Sequence, residues 1–274
     1  MDAGFLCPNR DGKKGRGGCI YCDSKGSGTG AFAKGLSVAE QMSRGMEWAR
    51  RRYKARLFIA YFQAFSNTYG DLDHLKSQYL QALCSDEVVG IAIGTRPDCV
   101  DEDKLDMIRN IAEGRMVWME YGLQSASNTT LRLLNRHCTV EDFISAVKMT
   151  KSRGMLTCAH VIFGLPGEGY KEMKDTVELL CDLKVEGVKF HQLYILKGSK
   201  LEEMYKHGGY EPISLEDYTS MVAESINMLS KDTVIQRISA DPPRDTLVSP
   251  KWSLEKINIR QLIWEKLSGS GIRE

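Results

Sequence analysis

The sequence predicts an α/β protein built on a parallel sheet. Three observations carry that expectation: short apolar runs rich in β-branched residues, amphipathic stretches between them, and alternation of the two over more than 150 residues. The runs are Leu57 to Gln63, Val88 to Gly94, Met116 to Leu123, Thr157 to Gly164 and Val188 to Ile195, all short enough for buried strands. The intervening stretches are Ser37 to Tyr53, Leu72 to Ser85, Asp101 to Glu113, Thr139 to Arg153 and Tyr170 to Lys184. Each places apolar residues three and four apart, and most begin on an acidic or hydroxyl residue, as helices do. Such alternation implies right-handed crossovers, in either an open doubly wound sheet or a barrel. In both, function collects at the C-terminal ends of the strands.

Beyond Ile195 the sequence predicts a helix from Ser214 to Ser230, a short apolar segment around Val234 to Ile238, a turn at Asp241-Pro-Pro-Arg244 and a terminal helix from Ser253 to Leu267. No linker, low-complexity segment or repeat separates these from the rest. The expected organisation is one core domain, 1–232, with a C-terminal extension, 233–274, packed on it.

Composition sets limits without indicating chemistry. At 274 residues, 42% hydrophobic and 27% charged, the chain is an ordinary globular sequence. Lys and Arg total 37 against 36 Asp and Glu, so nothing global attracts it to nucleic acid or to an anionic membrane, and such a partner would need a local patch. No apolar run approaches the roughly 20 residues of a membrane span, and the start lacks a signal-like pattern, which leads to a cytoplasmic expectation. Eight cysteines are too few for a disulfide scaffold in a chain of this size, so clustered ones are read as ligands.

Four strand ends are polar or glycine-rich and mark one shared face: Gln63 to Thr68, Gly94 to Asp98, Glu120 to Ser125 and Phe163 to Glu168. Ahead of the first helix, Cys7, Cys19 and Cys22 lie in a glycine-rich loop, Cys7-x11-Cys19-x2-Cys22. Three thiols without a fourth nearby are the informative count, because an electron-transfer [4Fe-4S] cluster uses four and three leave one iron open. Glycines at 12, 15, 17 and 18 let the loop wrap closely, and Arg10, Lys13, Lys14 and Arg16 are expected to offset cluster charge in part. A zinc site built on Cys19 and Cys22, or plain reduced thiols, are the competing readings, although no second CxxC and no HxxxH completes a zinc set.

The string from Asp2 to Cys22, with its wide cysteine spacing, resembles the radical S-adenosylmethionine (SAM) superfamily, in particular its YhcC-like branch. That branch is related to the elongator catalytic subunit and to oxygen-independent coproporphyrinogen III oxidase, and the resemblance runs from Asp2 to about Leu267. It implies a partial (β/α)6 barrel of the TIM type with a C-terminal helical extension. It implies a [4Fe-4S] cluster on Cys7, Cys19 and Cys22, with SAM on the open iron and one-electron cleavage to a 5′-deoxyadenosyl radical. An external flavodoxin- or ferredoxin-like electron donor follows, with tRNA, an RNA base, as the family-level substrate. The alternative function is a non-catalytic zinc- or nucleic-acid-binding module, and a simple electron carrier is a third.

The same resemblance nominates SAM contacts. Glu120, Gln124, Ser125 and Arg136 match a pattern in which Gln meets ribose and Arg pairs with the methionine carboxylate, a task suited to a guanidinium fork. By residue type alone, Gln124 would equally cap the next helix and Arg136 would be solvated. Gly164, Pro166, Gly167 and Glu168 look like the glycine-rich segment beside the adenine, and His191, Gln192 and Tyr194 would edge adenine or substrate. Where relatives carry a GGE-like motif, this chain has Gln63 to Thr68, so the SAM amino group would rest on Gln63, its neighbours or their carbonyls. Gly94 to Asp98 resembles an elongator-like TRPD, with Gly94 where some relatives place a ribose-binding Glu.

Family members have a strand before the cluster loop, of which only Asp2 to Leu6 would remain, leaving the first strand truncated. Cys84, Cys99, Cys138, Cys158 and Cys181 lack ligand spacing and are expected to be buried free thiols. The basic run Arg44 to Arg56 reads as a solvated helix face that would also suit a phosphate backbone. Asp241 to Asp245 and Trp252 would line the open side of the barrel or form a structural turn.

Overall fold

A computed structural model describes residues 1–22, 26 and 31–269. In chain order its elements begin with α1 (Val38–Tyr53), β1 (Phe58–Phe62), α2 (Leu72–Ala82), β2 (Val88–Thr95), α3 (Glu102–Ile111) and β3 (Met116–Gln124). There follow α4 (Asn128–Leu133), α5 (Val140–Lys151), β4 (Leu156–Phe163), α6 (Tyr170–Asp182), β5 (Gly187–Gln192) and β6 (Ile195–Leu196). The remainder is α7 (Lys200–Lys206), α8 (Leu215–Met228), β7 (Val234–Arg237), β8 (Leu247–Ser249) and α9 (Lys256–Gly269). Six strands, β1 to β5 and β7, belong to one sheet, giving the α/β, partial (β/α)6-barrel class that the sequence predicts.

The chain divides into two interleaved compact units. The first comprises Met1–Gly17, Ser24–Gly122 and Glu141–Thr157. Here β1, β2 and β3 run parallel, with Ala60 opposite Ile91 and Ala92 opposite Trp118. The helices start where short polar side chains satisfy their first backbone donors: Ser37 forms a capping box with Glu40, Asp71 caps α2 and Asp101 caps α3. Helix α2 buries Leu75 and Tyr79, and Tyr79 meets Phe62 and Phe5 edge-to-face at 5.2 and 6.3 Å between centroids. Residues 2–6, expected to hold the remnant of a first strand, form no strand. They are anchored instead by Phe5, by the Met1 ammonium on the Tyr61 carbonyl, and by Gln63 N–H on the Met1 carbonyl at 3.3 Å.

The second unit comprises Gly18–Asp23, Leu123–Val140 and Cys158–Glu274. Strands β4, β5 and β7 are parallel, and β6 and β8 form a separate antiparallel pair. The apolar segment at Val234 is therefore the sixth strand of the sheet, so β7 crosses from the expected extension into the core sheet. One face of β4 and β5 is apolar: Phe163 lies 5.5 Å from Phe190 and 6.4 Å from Tyr218 of α8, between ring centroids. A second buried cluster gathers Ile20, Leu134, Leu165, Leu193, Leu201 and Tyr210 among others.

The short helices α4 and α7 have too few turns to show a periodicity, and the sequence reading missed both. Helix α9 begins at Lys256 rather than Ser253, because Lys251–Leu254 is a 3-10 turn. Of the scattered cysteines, Cys99, Cys138 and Cys158 are buried as expected, whereas Cys84 is exposed and Cys181 half-buried. Among the described residues no helix is long and apolar enough to cross a membrane.

Phe163 is fully enclosed by aromatic neighbours. Phe163→Ala is expected to cost about 3–5 kcal/mol through lost transfer energy and a residual cavity. The urea midpoint of the variant, with an unchanged m-value, checks this.

Candidate functional site

In the first unit the Cys7 loop is built by backbone turns. The Cys7 carbonyl accepts from Arg10 N–H at 2.9 Å, and the Pro8 carbonyl accepts from Lys14 and Gly15 N–H at 2.9 and 3.1 Å. Gly12, at φ +94°, supplies the left-handed step that this reversal needs. Asp11 Oδ2 accepts from the Tyr69 hydroxyl at 2.8 Å, and Asp11 Oδ1 from Lys13 N–H at 3.0 Å. The hydrogen bond to Asp11 pushes the Tyr69 phenol up to about 12.

The strongest tie is electrostatic. Asp98 is almost wholly buried and receives the Arg96 fork, Nε on Oδ1 and Nη2 on Oδ2, both at 2.9 Å. Lys14 Nζ donates to Asp98 Oδ2 at 2.6 Å, joining the loop to the end of β2. Burial pushes the Asp98 carboxyl up, but Arg96 and Lys14 outweigh it and hold the group below its ordinary range. Lys14 is therefore spent on Asp98, while Lys13 lies over the Tyr69 ring and Arg10 over Phe65, at 5.5 and 5.4 Å. The expectation that these cations mainly offset cluster charge is corrected for Lys14.

At the end of β1, Gln63 is half-buried, and Ser66, Asn67 and Thr68 are fully buried. Asn67 Nδ2 donates to the Gly94 carbonyl at 2.6 Å, and the Thr68 and Thr95 hydroxyls meet at 2.7 Å. A Cβ on Gly94 would lie 3.1 Å from the Phe62 carbonyl oxygen, so close strand approach explains this glycine. Among the described residues, Ser66 Oγ and Asn67 Oδ1 are buried without a hydrogen-bond partner. Glu120, on β3, is buried in the same unit.

In the second unit Ile20, between the other two cysteines, is sunk into the apolar cluster. Its N–H donates to the Leu134 carbonyl at 3.1 Å and its carbonyl accepts from Leu201 N–H at 3.2 Å. Cys22 N–H donates to the Cys19 carbonyl at 3.1 Å, closing the CxxC turn, and Asn135 Nδ2 donates to the Gly18 carbonyl at 2.8 Å. Arg136, only 6% exposed, directs Nη1 at Cys19 Sγ at 3.8 Å. Arg136 is thus a buried neighbour of a candidate ligand rather than a solvated surface group.

Ser125 and Glu168 are brought together: the Ser125 hydroxyl donates to Glu168 Oε1 and accepts from Ser127 N–H at 2.9 Å. Burial raises the Glu168 carboxyl against the opposing effect of Ser125. Gln124 closes β3 in a left-handed conformation, φ +73°, and Ser127, not Gln124, caps α4. The space a side chain would fill at Gly164 is taken by Ile213, 2.7 Å from the Cβ position, and the Gly164 carbonyl accepts from the Tyr210 hydroxyl at 2.7 Å. Gln192 clamps Ala240, donating to its carbonyl at 3.3 Å and accepting from its N–H at 2.8 Å. His191, on β5, faces His160 of β4 with ring centroids 5.4 Å apart. The sequence reading passed over His160, Lys189 and Arg237, because single polar residues inside apolar strands give no periodic signal.

All eight cysteines are free, and no disulfide joins any described residues. Thiols at 7, 19 and 22 are soft donors, and a buried guanidinium at Cys19 Sγ favours the thiolate, so the donor set fits an iron-sulfur cluster.

Residues 12–180 match the Radical SAM superfamily and residues 185–268 match the Radical_SAM C-terminal domain. Protein YhcC of Escherichia coli K12 is 38% identical over 257 residues, covering 92% of this chain and 81% of YhcC. A tRNA uridine(34) acetyltransferase of Methanocaldococcus infernus is 26% identical over 201 residues, 72% of this chain but 36% of that protein. The solved structure of Elp3 from the same archaeon, with residues 1–46 deleted, aligns at a TM-score of 0.76 and 20% identity. It covers 90% of this chain, which spans 62% of that structure, and the likeness shows the fold.

Asp98→Asn would leave Arg96 buried without a counter-charge, and the expected loss is about 3–5 kcal/mol at neutral pH. Because the Asp98 carboxyl is held below the ~3.9 of an unfolded aspartate, its contribution is present above that pH. It is lost as pH falls through the lower folded value. Denaturation of both proteins from neutral pH down into acid should show the gap closing below about pH 4.

Proposed function

The chain belongs to the radical SAM superfamily, and from that premise we propose that it is an enzyme whose Cys7, Cys19 and Cys22 hold a [4Fe-4S] cluster with one iron left for SAM. When bound, these cofactors supply reductive cleavage of SAM to a 5′-deoxyadenosyl radical that takes a hydrogen atom from substrate. The observation that carries the reading is the buried Arg136 guanidinium at Cys19 Sγ, beside a CxxC turn pinned by Ile20. A fixed cation there favours the thiolate and stabilises a cluster of net negative charge.

The chain's own side chains orient the cofactors and exclude water. Gln124 is assigned to ribose, Gln63 and its neighbours to the SAM amino group, and Ser125 with Glu168 to a shared polar contact. Gly164 is assigned to the adenine edge by its backbone, since Ile213 fills its side-chain space, and His191 to the adenine or substrate side. Residues 1–232 form the core in this reading and 233–274 its extension. The setting is cytoplasmic, with a flavodoxin- or ferredoxin-like donor. An RNA base is the proposed substrate, on the strength of the tRNA named in one relative.

Anaerobic reconstitution tests the reading. About four irons per chain are expected, with an EPR signal that changes on adding SAM, and 5′-deoxyadenosine after dithionite. Cys19→Ala should abolish iron uptake with the far-UV circular dichroism unchanged, and Arg136→Met should lower cluster affinity roughly tenfold or more. One zinc per chain and no iron would support the binding module instead. Stimulation of 5′-deoxyadenosine release by bulk tRNA supports the RNA substrate, and indifference argues against it.

A further inference from the structure

The sheet face of β4, β5 and β7 opposite the apolar one is chemically unlike the rest of the second unit. Alternation puts His160 on this face of β4 and both Lys189 and His191 on this face of β5. In register, His160 is opposite Lys189, and Lys189 is opposite Arg237 of β7. The charges acting on His191 are those of His160, Arg237 and Lys189, all positive in sign. Burial, reinforced by these cations, drives the His191 pKa well down, so its ring is neutral at neutral pH.

Two of these groups are uncommitted. His191 Nε2 is buried with no hydrogen-bond partner, and the half-buried Arg237 side chain makes no ion pair or hydrogen bond among the described residues. Lys189 is only 7% exposed. Placing two permanent cations and two imidazoles on one patch costs free energy through mutual repulsion and desolvation. A bound anion would offset that cost, and a neutral imidazole beside a guanidinium fork offers directed contacts to its oxygens.

We propose that this face seats an oxyanion carried by the substrate, a phosphate ester or a carboxylate, held by Arg237 and Lys189 with His191 Nε2 as a further contact. The proposal deepens the reading above and rests on it for the word substrate. It narrows the substrate to an anionic molecule that enters with its charged group toward β5 and β7.

Calorimetry on the reconstituted full chain tests it, with inorganic phosphate and succinate as probes and iron content measured separately. At least one probe should bind, and the tighter of the two identifies the phosphate or the carboxylate source. Arg237→Gln should weaken that probe by about tenfold or more, the effect of losing one charge-assisted contact, and Arg237→Lys should recover part of it. Lys189→Met should act in the same direction, and Arg237→Gln serves alone if that variant does not fold. S-adenosylhomocysteine should bind wild type and Arg237→Gln equally and leave the probe in place. No binding of either probe at tens of millimolar, indifference to Arg237→Gln, or displacement by S-adenosylhomocysteine overturns the proposal. Loss of iron and of S-adenosylhomocysteine binding alongside arginine-dependent probe binding would instead overturn the cofactor reading.

Discussion

A buried carboxylate must find positive partners, and Asp98 finds two at once. The Arg96 fork comes from two residues away and the Lys14 ammonium from the cysteine loop. Breaking either contact leaves charge stranded in a place with little water, which costs more than a surface pair would gain. The path of the loop carrying Cys7 is therefore set by where β2 ends. Asp11 and Tyr69 make a second and more exposed tie of the same kind, so the loop is fixed at two points within its unit.

The other two cysteines obey a different constraint. A CxxC turn presents its thiols only if the residues between them are held, and here Ile20 does this through apolar burial and two backbone hydrogen bonds. Leu134, Asn135 and Arg136 lie consecutively beyond α4, and each grips the segment by a different chemistry: a carbonyl, an amide and a guanidinium. Arg136 can point at Cys19 because the two residues before it are already bonded to Ile20 and Gly18. Mechanical support and electrostatic tuning thus come from the same short stretch.

The strands and long helices were legible in the sequence because each carries its own period. Five runs of β-branched residues became β1 to β5 within a residue or two, and the caps Ser37, Asp71 and Asp101 marked helix starts locally. Less was legible where the meaning of a residue depends on a distant one. Lys14 looked like a free cation until Asp98, 84 residues on, was seen beside it. Gly164 looked like room for a ligand, and Ile213 fills it. Arg237 sat in a four-residue strand too short to announce itself, and only the pairing of β7 with β5 brought it next to Lys189. The cysteines were readable from spacing, whereas Arg136 beside Cys19 needed the fold.

Gln192 carries a lesson about reading invariance. Its primary amide both gives and takes a hydrogen bond with the peptide of Ala240, as a neighbouring strand would, so a side chain substitutes for backbone there. Asn is one methylene too short for that reach, and Glu cannot donate. Selection would hold this position fixed on architectural grounds alone. A residue that tolerates no replacement, one step from His191, would look like catalytic machinery to anyone comparing sequences, while doing the work of a rivet.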